Sequence, residues 1–417
     1  MEKWNEAGAV NEVGALLEVA AEMMERLGIT PAESLHRAIA RRVWTSLGPL
    51  AMPTRTVHDG IAGAVYTGLR MGTRTAASAA AATARAAGRG RSVRPLNATS
   101  RGRLVVGLLN AVIGDRLADQ GNHLAIAMSI RQRGMDVRTG RAALAKAFPK
   151  ATSRVVVFLH GLGENEEHWR PGRAFSFGSR LRADLGLTPV HVRYNSGRHV
   201  SDNGDLLAQL LEDLVGRWPV EVEELALVGH SMGGLVARSA CHAALQGGRV
   251  WPLRLRYLVT LGTPHTGAPL PKAVQATAWV LRKVPEARPL AEVLDNRSAG
   301  IRDLTHGYLL EADWRLEDPD RLLDDQRGMV SPTPGCTHTF ITATLTRDPS
   351  SPLGRLAGDL LVRTDSAGGR HRTRPIPIPT ESVVHVGSMT HFDLLGHGLV
   401  YKHLKHALEE IPSRRPK

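Results

Sequence analysis

The pattern of apolar and polar residues changes in character near residue 135. Before that point apolar residues recur at helical spacing, as in residues 10–27, and predict a mostly helical region over residues 1–135. After it, short β-branched runs alternate with helical patterns. Six of these runs predict strands, at residues 154–160, 189–194, 224–229, 255–261, 339–344 and 383–386. Continuous apolar strands separated by helices are typical of an α/β fold with a mostly parallel, doubly wound sheet.

A long insertion separates the fourth and fifth predicted strands. It contains about 75 residues of helical character, including an apolar run near Trp279. An insertion of this length is typical of a lid or cap rather than of a structureless loop. We therefore expect two parts: a basic, mostly helical region at residues 1–135, and an α/β domain at residues 136–417 with a lid or cap at about 266–335.

The composition is that of a soluble globular protein. Of the 417 residues, 42% are hydrophobic and 22% are charged, and because only 4% are aromatic the core must be mostly aliphatic. Two cysteines, Cys241 and Cys336, exclude a disulfide scaffold. The acidic start lacks the apolar segment of a secretory signal, and no run of about 18 apolar residues predicts a membrane span. We expect a cytoplasmic protein, with peripheral attachment to a membrane as the alternative.

Positive charge is concentrated in one stretch of the chain. The net charge is +13, and residues 37–103 contain twelve arginines, no lysine and one acid, Asp59. Such a block favours anionic partners, and an anionic membrane surface is the candidate. Because the stretch lacks the interleaved aromatic residues that stack on bases, no specific nucleic acid is expected. A solvated basic surface is the alternative.

The strongest chemical signal is the sequence G-H-S-M-G at residues 229–233, between a predicted strand and a predicted helix. At a sharp strand-to-helix turn a serine hydroxyl projects above the sheet, and the crowded backbone requires small residues on either side, here Gly229 and Gly233. The helix that follows also directs its amide donors at developing negative charge. This context predicts Ser231 as a nucleophile, and the alternative is a tight turn with an inert serine.

A second signal is the sequence H-G-L-G at residues 160–163, directly after the first predicted strand. An acyl-transfer site needs two backbone amides aimed at the oxyanion. In this architecture one amide belongs to the residue after the nucleophile, Met232, and the other to the loop after an upstream strand, where Leu162 is the candidate. We expect His160 to brace the loop rather than to transfer protons.

A serine nucleophile needs a neighbouring base, and the chain order in this arrangement is serine, acid, histidine. Among the 18 histidines His391 is the candidate base, because it follows the last predicted strand after a short loop, whereas His385 lies inside that strand. The candidate acid is Asp359, after the fifth strand, and Asp365 is the alternative. We expect Asp393 to cap a helix. The chemistry requires no cofactor.

These segments carry a resemblance to a known family. From about residue 136 to the end, the chain resembles an α/β-hydrolase of the lipase/esterase type and is similar to bacterial lipases and to the GPI-inositol-deacylase-like group. The matching segments are H-G-L-G-E-N-E-E-H-W (160–169), R-Y-N-S-G-R-H (193–199), L-V-G-H-S-M-G-G-L-V-A-R (227–238), L-G-T-P-H-T-G (261–267), G-D-L-L-V (358–362) and T-H-F-D-L-L (390–395).

The resemblance implies an α/β-hydrolase fold and a set of site residues. In such lipases a D-G-x-V segment supplies the acid and an H-x-D segment the base, which places these roles on Asp359 and His391. Leu360 departs from the pattern, because many relatives have glycine there. Some bacterial lipases bind calcium through an acid two residues past the histidine, here Asp393. No second set of ligands accompanies it, so no metal site is expected.

The sequence therefore predicts a serine hydrolase that cleaves carboxylic esters through Ser231, His391 and Asp359. The apolar helices of the insertion favour lipophilic or acyl-lipid esters as substrates. Two alternatives stay open. One is an acyltransferase on the same scaffold, and the other is a non-catalytic hydrolase-fold module that binds its partner through residues 1–135.

Overall fold

A computed structural model describes residues 6–47, 52–87, 96–170, 176–268, 297–315, 327–348, 351, 354, 358–371 and 374–409. The chain divides into two compact units. Within these ranges, the first unit holds the residues up to 103, residues 119–124 and Arg297, and the second holds residues 104–118, 125–268 and those from 298 onward. Much of the predicted lid, residues 269–296 and 316–326, lies outside the described residues.

Helices make up the first unit, as predicted for this region. They are α1 (Glu6–Met24), α2 (Thr30–Leu47) and α3 (Met52–Ala87), followed by a short 3-10 turn at Leu96–Ala98. A π-helical turn at Glu25–Ile29 joins α1 to α2 without a break in the helix. Among the described residues of α1 to α3, the buried apolar side chains are small and include Ala15, Val19 and Ala81. Among the described helices none has the length and apolar character needed to cross a membrane.

Part of the basic charge of the first unit is neutralised within it. Arg74 of α3 pairs with Glu25 at 2.7 Å, and Arg70 pairs with both Glu25 and Glu33. Arg37 also contacts Glu33, at 2.5 Å. Because both acids precede residue 37, the charge that residues 37–103 present to a partner is smaller than the sequence count indicates.

The second unit contains the remaining helices and all the strands of the described residues. Its helices are α4 (Ser100–Asp119, which starts in the first unit), α5 (Arg141–Ala147), α6 (Phe177–Leu185), α7 (Val200–Arg217), α8 (Met232–Gln246), α9 (Ala299–His306), α10 (Glu311–Arg315), α11 (Thr364–Ala367) and α12 (Gly398–Glu409). Short 3-10 turns lie at Glu166–Trp169, Trp251–Arg254, Thr380–Ser382 and Phe392–Leu395.

Eight strands form one sheet in the order β2-β1-β4-β3-β5-β6-β7-β8. They are β1 (Ser129–Gln132), β2 (Met135–Val137), β3 (Arg154–Leu159), β4 (Thr188–Arg193), β5 (Glu224–His230), β6 (Leu255–Leu261), β7 (Thr337–Thr344) and β8 (Val383–Gly387). Strands β3 to β8 pair in parallel, and β1 pairs antiparallel with β2 and with β4. The six predicted strands are confirmed as β3 to β8, and the sequence analysis missed the β1–β2 hairpin.

Both faces of the sheet are covered by apolar side chains. Along β3, Val155, Val157 and Leu159 belong to one buried cluster, and Val156 and Phe158 belong to the other. Because successive side chains of a strand point to opposite faces, this alternation shows a core on each side of the sheet. The continuous apolar pattern that predicted a doubly wound sheet has this origin.

The parallel strands end at a common edge of the sheet. Strand β3 runs into His160, β5 into Ser231 and β6 into Gly262. Ligands in open α/β sheets bind at the carboxyl ends of the strands. The candidate site is therefore at this edge.

Candidate active site

Ser231 occupies a strained turn between β5 and α8. Its backbone angles, φ 52° and ψ −122°, lie in a region that residues with a Cβ rarely adopt. Two hydrogen bonds hold this conformation: the Ser231 N–H donates to Leu261 O at 2.8 Å, and the Thr263 hydroxyl donates to Ser231 O at 2.8 Å. The Ser231 residue is 8% exposed. The turn therefore presents a single hydroxyl at the carboxyl edge of the sheet.

The glycines on either side of Ser231 are required by close backbone contacts. A Cβ at position 229 would lie 2.5 Å from Gly234 N, and one at position 233 would overlap Leu159 O. Both atoms belong to backbone, which cannot move aside without disturbing the sheet. The prediction that Gly229 and Gly233 must be small is confirmed.

The loop after β3 contains one amide that the surrounding groups do not use. The N–H of Gly161 donates to Glu164 Oε2 at 2.7 Å, that of Gly163 to Ser196 Oγ at 3.1 Å, and that of Glu164 to Gly161 O at 3.2 Å. Within the described ranges the N–H of Leu162 has no acceptor. Met232 is the first residue of α8, so its N–H has no partner within the helix.

Asp359 and His391 meet through their side chains. The His391 Nδ1–H donates to Asp359 Oδ2 at 2.7 Å, and both residues are buried. The other carboxylate oxygen, Oδ1, accepts from the N–H groups of Leu361 and Val362 at 3.0 and 2.8 Å. The His391 N–H also donates to Asp359 O at 3.0 Å. Backbone and side chain thus fix the carboxylate against one nitrogen of the imidazole.

Two further acids proposed from the sequence lie elsewhere. Asp365 is exposed in the short helix α11. Asp393 accepts from the N–H and the hydroxyl of Thr390 at 2.8 and 2.7 Å, so it holds the turn that leads into His391 rather than capping a helix. Of the carboxylates considered, Asp359 is the one that the structure joins to His391.

The imidazole of His391 lies against the turn that carries Ser231. Its ring centroid is 4.7 Å from that of His230, the residue before the serine. A Cβ added at Gly262 would lie 3.0 Å from the His391 ring. A Cβ added at Gly161, in the loop after β3, would lie at a similar distance from the Ser231 Cβ. The structure therefore brings the serine turn, the loop with the unused amide and the His–Asp pair to one edge of the sheet.

A mostly parallel sheet with a strained serine between its fifth strand and the following helix is the α/β-hydrolase arrangement. The profile of a family described as "PGAP1-like alpha/beta domain" matches residues 191–319, which include this turn. The chain therefore has the α/β-hydrolase fold. No curated protein matches the sequence.

Solved structures of a lipase, an esterase and a thioesterase are similar to this chain at low identity. The mature lipase of Bacillus licheniformis is 18% identical, with 61% of this chain and 91% of the lipase covered and a TM-score of 0.39. An esterase of Pyrobaculum calidifontis is 15% identical, with 73% and 89% covered and a TM-score of 0.37. A thioesterase of the prodiginine pathway in Streptomyces coelicolor is 18% identical, with 62% and 92% covered and a TM-score of 0.34.

His160 braces the loop after β3, as predicted. Its Nδ1–H donates to Gly161 O at 2.8 Å, and its Nε2 accepts from the N–H of Tyr194 at 3.2 Å. The Tyr194 ring stacks on the imidazole with centroids 4.3 Å apart. Burial lowers the pKa of His160 to about 4, so the ring is neutral and both of its nitrogens are occupied.

Two buried residues of the candidate site were not singled out by the sequence analysis. His230 and Glu164 hydrogen-bond to each other at 3.0 Å beside His391. Both lie inside the quoted motifs, at the variable position of G-x-S-x-G and in the segment after H-G-L-G. The residue spacing within each motif does not indicate that the two motifs pair with each other, so only the fold could reveal this contact.

Helix α4 packs on the loop that carries the unused amide. A Cβ at Gly107 would lie 3.0 Å from Gly163 O, and a Cβ at Gly163 would lie 3.2 Å from Leu108 Cδ2. The outer face of α4 exposes Leu104, Val105, Leu108 and Val112, which share one side of the helix. An exposed apolar strip therefore begins beside this loop.

Proposed function

We propose that this chain is a serine hydrolase that cleaves carboxylic esters through Ser231, His391 and Asp359. The observation that carries the proposal is the 2.7 Å hydrogen bond between His391 and Asp359, next to a serine held at φ 52°. A carboxylate on Nδ1 fixes the imidazole tautomer whose Nε2 can accept a proton, and it stabilises the imidazolium that results. These are the requirements of a serine made nucleophilic by a neighbouring base.

The proposed reaction has two steps. Ser231 Oγ attacks the ester carbonyl carbon, and His391 Nε2 takes the hydroxyl proton and passes it to the leaving alcohol. Water then attacks the acyl-enzyme and loses a proton to His391, and the acid and the free serine are released. The N–H groups of Leu162 and Met232, which have no other acceptor among the described residues, are proposed to hold the oxyanion in both steps.

The exposed strip on α4 supports a lipophilic acyl group. Leu108 is 53% exposed, and a Cβ added at Gly163, the residue after the proposed oxyanion donor, would lie 3.2 Å from Leu108 Cδ2. Solvent exposure of apolar side chains costs free energy that a bound acyl chain would recover, at about 25 cal/mol per Å² covered. We propose that the chain of the ester lies along this strip.

For the first unit we propose peripheral contact with an anionic membrane surface. Helix α3 exposes an i, i+4 series of apolar side chains, Val57, Ile61, Val65 and Leu69. An apolar helix face in a basic region is typical of helices that lie in the plane of a membrane. Co-sedimentation with vesicles of anionic and of neutral lipid tests this contact, and equal binding to both would exclude it.

The experiment for the hydrolase is a series of p-nitrophenyl esters of increasing acyl length, with the wild-type protein and Ser231→Ala. We expect hydrolysis by the wild type, faster for longer acyl groups than for acetyl, and none by the variant above the uncatalysed rate. A fluorophosphonate probe should label the wild-type protein once and leave Ser231→Ala unlabelled. Hydrolysis that survives in Ser231→Ala would refute the nucleophile. Labelling without ester hydrolysis would point to another acyl substrate.

A further inference from the structure

A second histidine–carboxylate pair lies behind the proposed triad. His230 Nδ1 is 3.0 Å from Glu164 Oε2, and His230 Nε2 is 3.2 Å from the carbonyl oxygen of His391. His230 is 0% exposed and Glu164 is 5% exposed. Both ring nitrogens of His230 face acceptors, and a histidine donates from both nitrogens only when it carries two protons. When the Glu164 carboxyl is ionised, this hydrogen-bond geometry calls for an imidazolium at position 230.

This pair connects the three parts of the site. Glu164 Oε2 also accepts the N–H of Gly161 at 2.7 Å, in the loop that contains Leu162. His230 directly precedes Ser231 in the chain, and its Nε2–H reaches the backbone of His391. A change in the Glu164–His230 pair would shift the oxyanion loop, the serine turn and the base together.

We propose that His230, held as an imidazolium by Glu164, is a positioning residue that fixes the backbone of His391 and the oxyanion loop around Ser231. The inference rests on the proposed esterase function, because it assigns a task within that reaction. Neither residue transfers a proton in the proposed reaction. His230 acts through the carbonyl of His391, and Glu164 acts through His230 and the Gly161 amide.

The charges around the pair agree with this state. Burial alone would lower the pKa of His230, but the Glu164 carboxylate, the His391 carbonyl and the Asp359 charge outweigh it and raise that pKa. Burial alone would raise the pKa of Glu164, but the His230 charge and hydrogen bonds outweigh it and lower that pKa. The neighbouring titratable groups are the His391 ring, His168 and His160, of which His168 also favours the charged form of Glu164.

The two charges of the ionised pair compensate each other beside the reacting groups. An unpaired Glu164 carboxylate would repel the oxyanion that forms near the Gly161 loop. An unpaired imidazolium at His230 would oppose protonation of His391, whose ring lies 4.7 Å away. Together the two charges cancel, so the site gains two fixed hydrogen bonds without a net charge.

Glu164→Gln tests the inference by removing the charge and keeping the shape. The imidazole of His230 would then lose its second proton near neutral pH. A neutral imidazole has one N–H group, so it could donate only one of the two hydrogen bonds. We expect kcat to fall by about 10- to 100-fold with KM changed less than about twofold, since misplacement by about 1 Å can cost a factor of 10². In the wild type kcat should fall as pH rises through the raised pKa of His230, and in Glu164→Gln this alkaline limb should begin at lower pH.

Glu166→Gln is the matched control. Glu166 is also buried, two residues along the chain, but it pairs with Arg131 and Arg193. Removal of the Glu166 charge should lower the stability of the protein. The alkaline limb of the kcat profile should begin at the same pH as in the wild type. A wild-type profile in Glu164→Gln, or an equal shift in both variants, would overturn the positioning role.

A readout that needs no hydrolysis separates this inference from the proposed function. In protein labelled with ¹⁵N-histidine and carrying Ser231→Ala, one imidazolium should persist at pH 7.5, above the ordinary histidine pKa of about 6.5. Its signal should vanish in His230→Gln and Glu164→Gln and remain in Glu166→Gln. A neutral His230 would overturn the inference even in an active enzyme. A wild type that hydrolyses no ester would refute the proposed function, whatever this signal shows.

Discussion

His391 is joined to Asp359 twice, once by its ring and once by its backbone. The Nδ1–H donates to the carboxylate at 2.7 Å, and the backbone N–H donates to the carbonyl of the same residue at 3.0 Å. The backbone bond does not depend on the side chain of residue 359. A substitution of the carboxylate can therefore alter the imidazole while the loop keeps its position.

Asp359→Asn should cost activity without unfolding the protein. The amide keeps an oxygen for the N–H groups of Leu361 and Val362, but its nitrogen would face His391 Nδ1 and favour the wrong tautomer. We expect kcat to fall by about 10⁴-fold. The measurement is kcat on a p-nitrophenyl ester together with the thermal midpoint. Asp365→Asn is the control and should retain wild-type activity, and a large loss in that variant would contradict the assignment of the acid.

Ser231→Gly should make the protein more stable while it abolishes hydrolysis. A residue with a Cβ at φ 52° and ψ −122° carries strain of about 1–3 kcal/mol, and glycine relieves it. After allowance for the greater freedom of glycine in the unfolded chain, we expect the free energy of unfolding to rise by about 1 kcal/mol. Urea unfolding measures the change. Ser231→Ala, which keeps the Cβ, should show no such gain, and equal stability of the two variants would argue against a strained turn.

Leu360→Gly should stabilise the loop that holds the acid. Leu360 has φ 89°, a left-handed conformation that favours glycine, and its side chain is largely exposed, so little packing would be lost. We expect an increase of about 1 kcal/mol in the free energy of unfolding and kcat/KM within twofold of the wild type. Leu399→Gly, in the helix α12, is the control and should instead destabilise by about 1 kcal/mol. A destabilised Leu360→Gly would contradict the strained conformation.

Leu108→Asp tests the proposed path of the acyl chain. A charge in the α4 strip would oppose a long acyl group and leave a short one unaffected. We expect the ratio of kcat/KM for octanoyl and acetyl esters to fall about tenfold, which corresponds to about 1.4 kcal/mol. Leu253→Asp, an exposed leucine at the amino end of β6, is the control. An unchanged ratio in Leu108→Asp would place the acyl group elsewhere.

Buried neutral histidines should make the fold sensitive to acid. Burial lowers the pKa of His160 and His338 to about 4 and that of His191 to about 3. Each group binds its proton more readily when unfolded. Its contribution to stability is therefore complete above pH 6.5 and declines as pH falls toward the folded pKa, by up to about 1.4 kcal/mol per pH unit. The pH dependence of the His230 contribution has the opposite sign. Because folding raises the pKa of His230, its contribution to stability is lost as the pH rises through that raised pKa.

Urea unfolding at pH 7, 6 and 5 measures this decline. His191→Leu removes one of these groups. It should reduce the slope of stability against pH between 6.5 and 4 by about 1.4 kcal/mol per pH unit, the contribution of one histidine. The Nε2 of His191 has no partner among the described residues, so the substitution breaks no hydrogen bond there. A slope equal to that of the wild type would show that His191 is not neutral in the folded protein.

Local patterns were sufficient to predict the sheet and the serine turn. Strands β3 and β5, at the centre of the sheet, are buried almost throughout, so each appears in the sequence as a short hydrophobic run. The β1–β2 hairpin is not apolar: Arg131 is buried through ion pairs with Asp136 and Glu166, and such pairing is invisible in a hydrophobic pattern. The predicted boundary between residues 135 and 136 accordingly falls within β2.

Residues that act through distant partners could not be predicted in the same way. Glu164 and His230 are 66 positions apart and meet only because β3 and β5 are neighbours in the sheet. Leu360 shows the reverse case. The sequence analysis identified Leu360 as a position where many relatives have glycine. Its positive φ explains this preference, because glycine adopts such a conformation without strain.

The place of α4 has a practical consequence for dividing this protein. Residues 104–118 belong to the unit that contains the sheet, and the helix supports the loop at Gly163. A truncated version that starts at residue 136 would be cut inside the edge hairpin, and it would lose both this support and the carbonyl of Gly114 that accepts from Asn195. A truncation placed at residue 103 would retain all three. The last helix of the region predicted as a separate helical part therefore supports the candidate site.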